Sequence, residues 1–235
     1  MQIKIKAKET AFIFLLAVVS LALLHCIALF LFFHVNDPRV LDLTLWFDLD
    51  TEGNIPSFYS AAAILLCSLL SFLLACLAEN RFNFLHWLGL SIIFLFLSAD
   101  EACELHETVG DLAESYIHAT GLIYFPWVIP YIVLTIIFSL FYLKFLLRLP
   151  RRTARLLFFS GIVYVTGAAF LDMLGGREAE LNGYDSLLYC FLYTIEELFE
   201  MLGIVGTIHA LLSYLEEQHG YILITLQIKP VMSKF

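Results

Sequence analysis

The sequence predicts an all-α, polytopic membrane protein: a bundle of six transmembrane helices with both termini on the cytoplasmic side. Three observations carry that expectation. The chain of 235 residues is 61% hydrophobic and only 15% charged, with a mean hydropathy of +0.87. A soluble domain carries about 25% charge and about 45–50% apolar residues, so one core could not hide this much apolar surface, whereas a bilayer can solvate it. Six apolar stretches approach the ~20 residues needed to cross hydrocarbon. Finally, the basic residues fall on alternate connections.

The six stretches are about 11–33, 56–78, 84–105, 123–147, 154–174 and 186–215. The first is longer than the apolar core of a signal peptide and lacks a small-x-small cleavage pattern, so it is expected to be retained as a span. The third is short as an apolar run, and its helix is expected to continue through the acidic residues 100–111. Pro126 and Pro130 sit in the first turns of the fourth span, where early amides lack helical partners and proline is cheapest. Trp46, Tyr59, Tyr124 and Trp127 fall near one predicted interface and Trp87 near the other, as membrane-boundary aromatics do. No internal repeat or low-complexity linker interrupts the chain, so one membrane domain is expected, followed by a cytoplasmic tail over 216–235 whose residues 221–229 read as a short strand or an interfacial segment.

Orientation follows from Lys and Arg. Lys4, Lys6, Lys8, Arg81, Lys144, Arg148, Arg151, Arg152, Arg155, Lys229 and Lys234 all belong to one side of a six-span arrangement, and only Arg39 and Arg177 to the other. The basic side is expected to be cytoplasmic, which puts the opposite face in the periplasm if the membrane is the bacterial inner membrane. The five cysteines, Cys26, Cys67, Cys76, Cys103 and Cys190, show neither CxxC nor metal-finger spacing, and read as small buried hydrophobes rather than a disulfide framework.

The acids are distributed the opposite way. Of 22 Asp and Glu residues, Glu9, Glu79, Glu216 and Glu217 fall on the basic side and the other 18 in or near the opposite half. Loops account for Asp37, Asp42 and Asp185. They do not account for Glu196, Glu197 and Glu200. Counting from Ser186 at 1.5 Å per residue, Glu197 lies roughly 16 Å and Glu200 roughly 21 Å along the sixth span, near the middle of a core about 30 Å thick. An ionised carboxylate there costs about 2.5–3.5 kcal/mol on insertion scales. Several on one helix require protonation, water, a basic partner or a bound cation, and basic residues are scarce.

Spacing suggests which acids converge. Glu196 and Glu200 are i,i+4 and Glu197 and Glu200 are i,i+3, so either pair shares a helix face. Gly203, Gly206, Thr207 and Ala210 then form a small-residue stripe suited to close helix packing. In the third span Asp100, Glu104, Glu107 and Asp111 form an i,i+4,i+7,i+11 stripe, with Glu101 the best inward candidate, Glu104 and Asp111 read as solvated, and His106 projecting to another side. His25, about 20 Å along the first span, is intramembrane. The catalytic candidates are therefore Glu101, Glu197 and Glu200, and the metal-ligand candidates Glu101, His106, Glu196, Glu200 and His25. Asp172, before Gly175, Gly176 and Arg177, is a weaker candidate. Asp48, Asp50 and Glu52 form an acidic loop without the length or terminal Glu of an EF-hand.

Three stretches, FDLDTEGNIPSFYS over 47–60, LSADEACELHETVG over 97–110 and YTIEELFEMLG over 193–203, resemble a family of uncharacterised bacterial multi-span membrane proteins marked by an Asp-Glu…His-Glu motif and a later Glu-Glu…Glu motif. On matching positions the resemblance picks out Glu52, Asp100, Glu101, His106, Glu107, Glu196, Glu197 and Glu200, and it implies no mechanism. Cys103 stands where a small residue is expected and is not read as a nucleophile.

These features favour a periplasm-facing carboxylate/His site holding a divalent metal of unassigned identity, in a hydrolase-like enzyme acting on a lipid or lipid-linked substrate. Di-metal carboxylate sites use Glu from several helices with Glu-x-x-His, and no strict Glu-x-x-His pair occurs here. The alternatives are a proton- or cation-coupled transporter and a non-catalytic partner or sensor subunit. The expected partners are the lipid bilayer and a small-molecule or lipid ligand. A net charge of −9 without a basic folded face excludes nucleic acid.

Overall fold

The computed structural model describes residues 2–35, 37–220 and 222–225. Strand β1 (Gln2–Ile5) leads into α1 (Ala7–His34), then α2 (Pro38–Leu45), α3 (Ile55–Cys76), α4 (Arg81–Cys103), α5 (Leu105–Glu114), α6 (Val128–Arg148), α7 (Arg151–Val165), α8 (Asp172–Asn182), α9 (Leu187–His219) and β2 (Ile222–Thr225). A widened π-helical turn, Thr166–Leu171, joins α7 to α8 without interrupting the rod. Six helices are long and apolar enough to cross a membrane: α1, α3, α4, α6, the α7–α8 rod and α9. The chain is thus a multi-pass helical membrane protein.

Side-chain caps set several boundaries. Asn54 accepts from the Ser57 amide at 3.2 Å while Ser57 Oγ accepts from the Asn54 amide at 3.0 Å, a reciprocal capping box at the start of α3. Asn80 caps α4 by accepting from the Asn83 amide. The end of α4 is different. Glu104 adopts a left-handed backbone, φ 53°, a conformation costing about 1–2 kcal/mol for an L-residue with a Cβ. The continuous helix expected across 100–111 is therefore broken at Glu104, and α5 sets off in a new direction. The last span runs on to His219. Residues 222–225 of the predicted tail pair antiparallel with β1, Gln2 opposite Thr225 and Ile5 opposite Ile222. Residues 221 and 226–235 lie outside the described residues.

Helix α9 is the hub. Of its apolar window 61% is buried, against 17% for α6, which therefore lies at the periphery. It packs against α1, α3, α7 and the widened turn. The small-residue stripe explains the closest of these contacts. A Cβ on Gly203 would lie 2.8 Å from the Tyr164 amide nitrogen and 2.9 Å from the Ser160 carbonyl, and one on Gly167 would lie 2.7 Å from the Glu196 carbonyl. Only glycine lets these backbones meet.

Helices α3 and α4 pair through buried hydroxyls, Ser68 donating to the Ser91 carbonyl at 2.7 Å and Ser98 to that of Ala61 at 2.8 Å. At the lysine- and arginine-rich end, Glu216 accepts from the Ala7 amide at 2.7 Å, a carboxylate at a helix N-terminus, and Glu217 pairs with Arg152.

Helix α6 is joined to α4 near both of its ends and parted from it between. At the basic end the Tyr142 hydroxyl donates to the His86 carbonyl at 3.2 Å, within a cluster containing Phe82, Trp87 and Phe145. At the carboxylate-rich end the Tyr131 hydroxyl donates to Asp100 at 2.9 Å. Between these ties the chain leaves a cavity of about 1200 Å³, walled by α4, α6, α7 and α9.

Candidate functional site

The cavity is apolar along most of its length and carboxylate-lined at one end. Its lining includes Glu52, Asp100, Glu101, His106, Asp172, Glu196, Glu197 and Glu200. Five segments supply them: the 46–54 loop, the end of α4, the start of α5, the start of α8 and the middle of α9; Tyr131 of α6 is tied to Asp100. No lysine or arginine is among the lining residues, and Arg177 is exposed on the surface of α8.

The centre of the group is on α9. Glu196, Glu197 and Glu200 each offer a carboxylate oxygen, all within 4.8 Å of one another. Three ionised carboxylates so placed would repel by at least about 3 kcal/mol per pair at an effective dielectric of about 20. The arrangement calls for protons, water or a cation among them. Glu101, Asp172 and, from α7, Tyr164 lie close enough to Glu200 to interact with it. One oxygen of Asp172 and one of Glu52 are buried without a partner among the described residues. Asp172 is 7% exposed, so its orphaned oxygen is an acceptor aimed into the site rather than at solvent.

The break at Glu104 is what delivers His106. A continuous helix would turn this imidazole away. Instead its Nδ1 lies 3.6 Å from Asp100 Oδ1 and its Nε2 3.3 Å from Glu52 Oε1, and Trp127 flanks the ring with centroids 5.0 Å apart. Burial by itself would lower the His106 pKa, but the nearby carboxylates of Asp100, Glu52 and Glu200 raise it to about 9. Burial holds Glu52 up at about 8, with His106 pulling the other way and the neighbouring Glu101, Glu104 and Glu107 adding to the rise. Glu104, Glu107 and Asp111 are exposed.

The 46–54 loop is fastened from three sides. Asn54 Nδ2 donates to the Leu45 and Asp48 carbonyls at 3.0 and 2.6 Å. Tyr189 and Tyr193 of α9 donate to Asp50 and Asp48 at 2.9 and 3.2 Å. Burial lifts the Asp50 carboxyl to about 6, with the Tyr189 hydroxyl opposing and Asp48 and Glu107 reinforcing the rise. The third fastening is His25.

His25 is fully buried, and both its ring nitrogens are engaged by protein. Nδ1 accepts from the Leu49 amide at 3.1 Å, and Nε2 lies 3.0 Å from Thr194 Oγ1. That hydroxyl already donates to the Cys190 carbonyl, so Nε2 carries the proton and His25 is in its neutral tautomer. It does not line the cavity. Of the candidate ligands, the fold thus brings Glu101, His106, Glu196 and Glu200 to one chamber with Glu197, and sets His25 behind the loop that covers it. Sequence reasoning gave little weight to Asp172, Asp50, Tyr131 and Tyr164. Asp172 had a signal of its own, a carboxylate within an apolar span, while the tyrosines had none beyond their period on α6 and α7.

The family described as a domain of unknown function (DUF8692) matches residues 10–215, and the chain belongs to it. Neither the curated proteins nor the solved structures give a match.

Proposed function

We propose that the chain is a hydrolase-like membrane enzyme in which Glu196, Glu197 and Glu200, with Glu101 and His106 at the margin, hold a divalent cation beside a lipid or lipid-linked substrate. A cation held by carboxylates and imidazole would lower the pKa of a bound water and polarise the bond under attack. Glu52, in contact with His106 at the mouth, is placed to exchange a proton with that water. The positive-inside pattern supports a position in the bacterial inner membrane with both termini cytoplasmic and the carboxylate end towards the periplasm.

One observation carries the reading: the carboxylate chamber is continuous with an apolar cavity inside the membrane-spanning bundle. A transporter would need polar groups beyond the chamber to pass its ion onward, yet below Thr166 the lining offers hydroxyls such as Thr135, Ser139 and Thr207 and no ionisable Asp, Glu, Lys, Arg or His. Metal analysis of detergent-purified protein tests the proposal. The expected result is stoichiometric zinc, iron or manganese that is lost in Glu200→Gln. Absence of metal with proton-coupled uptake in liposomes would replace the enzyme by a carrier, and absence of both with a co-purifying protein would replace it by a partner or sensor subunit.

A further inference from the structure

We infer that the cavity between α4, α6 and α7 holds the hydrocarbon chain of a bilayer lipid whose head group bears an amine and no phosphate. This names the substrate class for the proposed reaction and rests on that reading for its chemistry.

The chain-binding part follows from shape and surroundings. Along α6 the lining runs from Tyr131 to Leu146, and along α4 from Asp100 up to Gly89. By helix rise these are roughly 22 and 16 Å, a full leaflet of a core about 30 Å thick. The walls are Ile, Leu, Phe and Val for most of that length, and Ile92, Phe96, Leu134, Ile137, Phe158 and Ile162 line the cavity while remaining exposed at the bundle surface. In a membrane-spanning bundle such a flank meets lipid, so a chain enters sideways from the leaflet. A volume of about 1200 Å³ exceeds the ~300–1,000 Å³ of ordinary small-molecule sites.

The head-group part follows from charge. Phosphate recognition uses arginine, lysine, a row of backbone amides or a bound cation; the lining contains neither basic residue, and one divalent cation would offset only two of its seven carboxylates. What waits at the carboxylate end is a set of acceptors, including the buried orphan oxygens of Asp172 and Glu52. An ammonium brings three donors and a complementary charge.

Gly161 gives a clean test. It lines the cavity, and a Cβ built there meets nothing within 4 Å, so Gly161→Trp sets an indole at the groove from an unobstructed position. Purified protein in phosphatidylcholine nanodiscs, both as isolated and with EDTA, would be photolabelled by hexadecylamine, hexylamine or hexadecyl phosphate, each with a terminal diazirine. Hexadecylamine is expected to label α4, α6 and α7 around the groove, with labelling down about tenfold in Gly161→Trp and hexylamine labelling unchanged. Hexadecyl phosphate is expected to label about tenfold less than the amine. Thr135→Trp, on the α6 wall, repeats the block should Gly161→Trp unfold. Equal labelling by the phosphate, or hexadecylamine labelling indifferent to both blocks, overturns the inference. Because one preparation contains EDTA, failure here leaves the metal result standing, and absence of metal leaves the lipid result standing.

Discussion

Raising the pH past neutrality is expected to loosen the mouth of the site, and His106 sets the size of the effect. Its pKa of about 9 in the folded chain compares with 6.5 for an unperturbed imidazole. A group with a raised folded pKa binds its proton more tightly when folded, so its contribution is complete below about 6.5 and is lost as the pH climbs through about 9. At 1.36 kcal/mol per unit, that difference is on the order of 3 kcal/mol. Glu52 runs in the same direction, its share falling away from about pH 4.5 and exhausted only above about 8; it is exposed enough for solvent to screen much of it. Between about pH 8 and about 9 the share of His106 is read as the difference between the wild-type protein and His106→Asn. Thermal unfolding of detergent-purified protein, followed by tryptophan fluorescence from about pH 6 to about pH 10, reads it directly, since Trp127 packs on the ring. The wild-type protein should lose stability through that interval and level off above it. His106→Asn should start lower at about pH 6 and fall less steeply than the wild type between about 8 and 9. A variant that keeps the wild-type slope there, or a wild-type protein that gains stability, would refute the electrostatic account.

Two further outcomes follow from the packing. Gly203→Val places a branched side chain against the Tyr164 backbone, and overpacking of that kind costs about 1–3 kcal/mol or more; the melting temperature should drop, while Gly161→Ala, facing open space, should leave it unchanged or raise it. His25→Leu removes the acceptor of the Leu49 amide and the partner of Thr194, which should cost about 1–3 kcal/mol and increase proteolysis in the 46–54 loop, while bound metal stays at the wild-type level; metal loss without loop exposure would return His25 to the ligand set.

The spans were legible because hydropathy and charge count act through the bilayer, which treats every helix alike. All six apolar stretches became helices long enough to cross it, and the acids of α9 could be placed by rise alone. What escaped was set by tertiary structure. The stripe Asp100, Glu104, Glu107, Asp111 reads as one helix face because glutamate is a good helix former, and nothing local announces a left-handed Glu104. The position of His106 depended on that break. His25 looks like a lone intramembrane ligand in sequence, since the amide that occupies it belongs to a loop 24 residues away. Asp172 reaches the chamber from a helix rod whose periodicity shifts just before it.

That shift has a consequence for how the site could be altered. A π-type turn accommodates a residue more than the ordinary spiral would, and each residue of an α-helix advances the azimuth by about 100°. Deleting one amino acid from Thr166–Leu171 would restore a regular rod in nearly the same phase, but winding all six as an ordinary spiral would re-phase everything beyond them by about that angle. Asp172 would swing out of the chamber, and Gly176, now fitted to the Phe125 ring, would be carried off its seat. The irregularity acts as the key that sets where the second half of this span points.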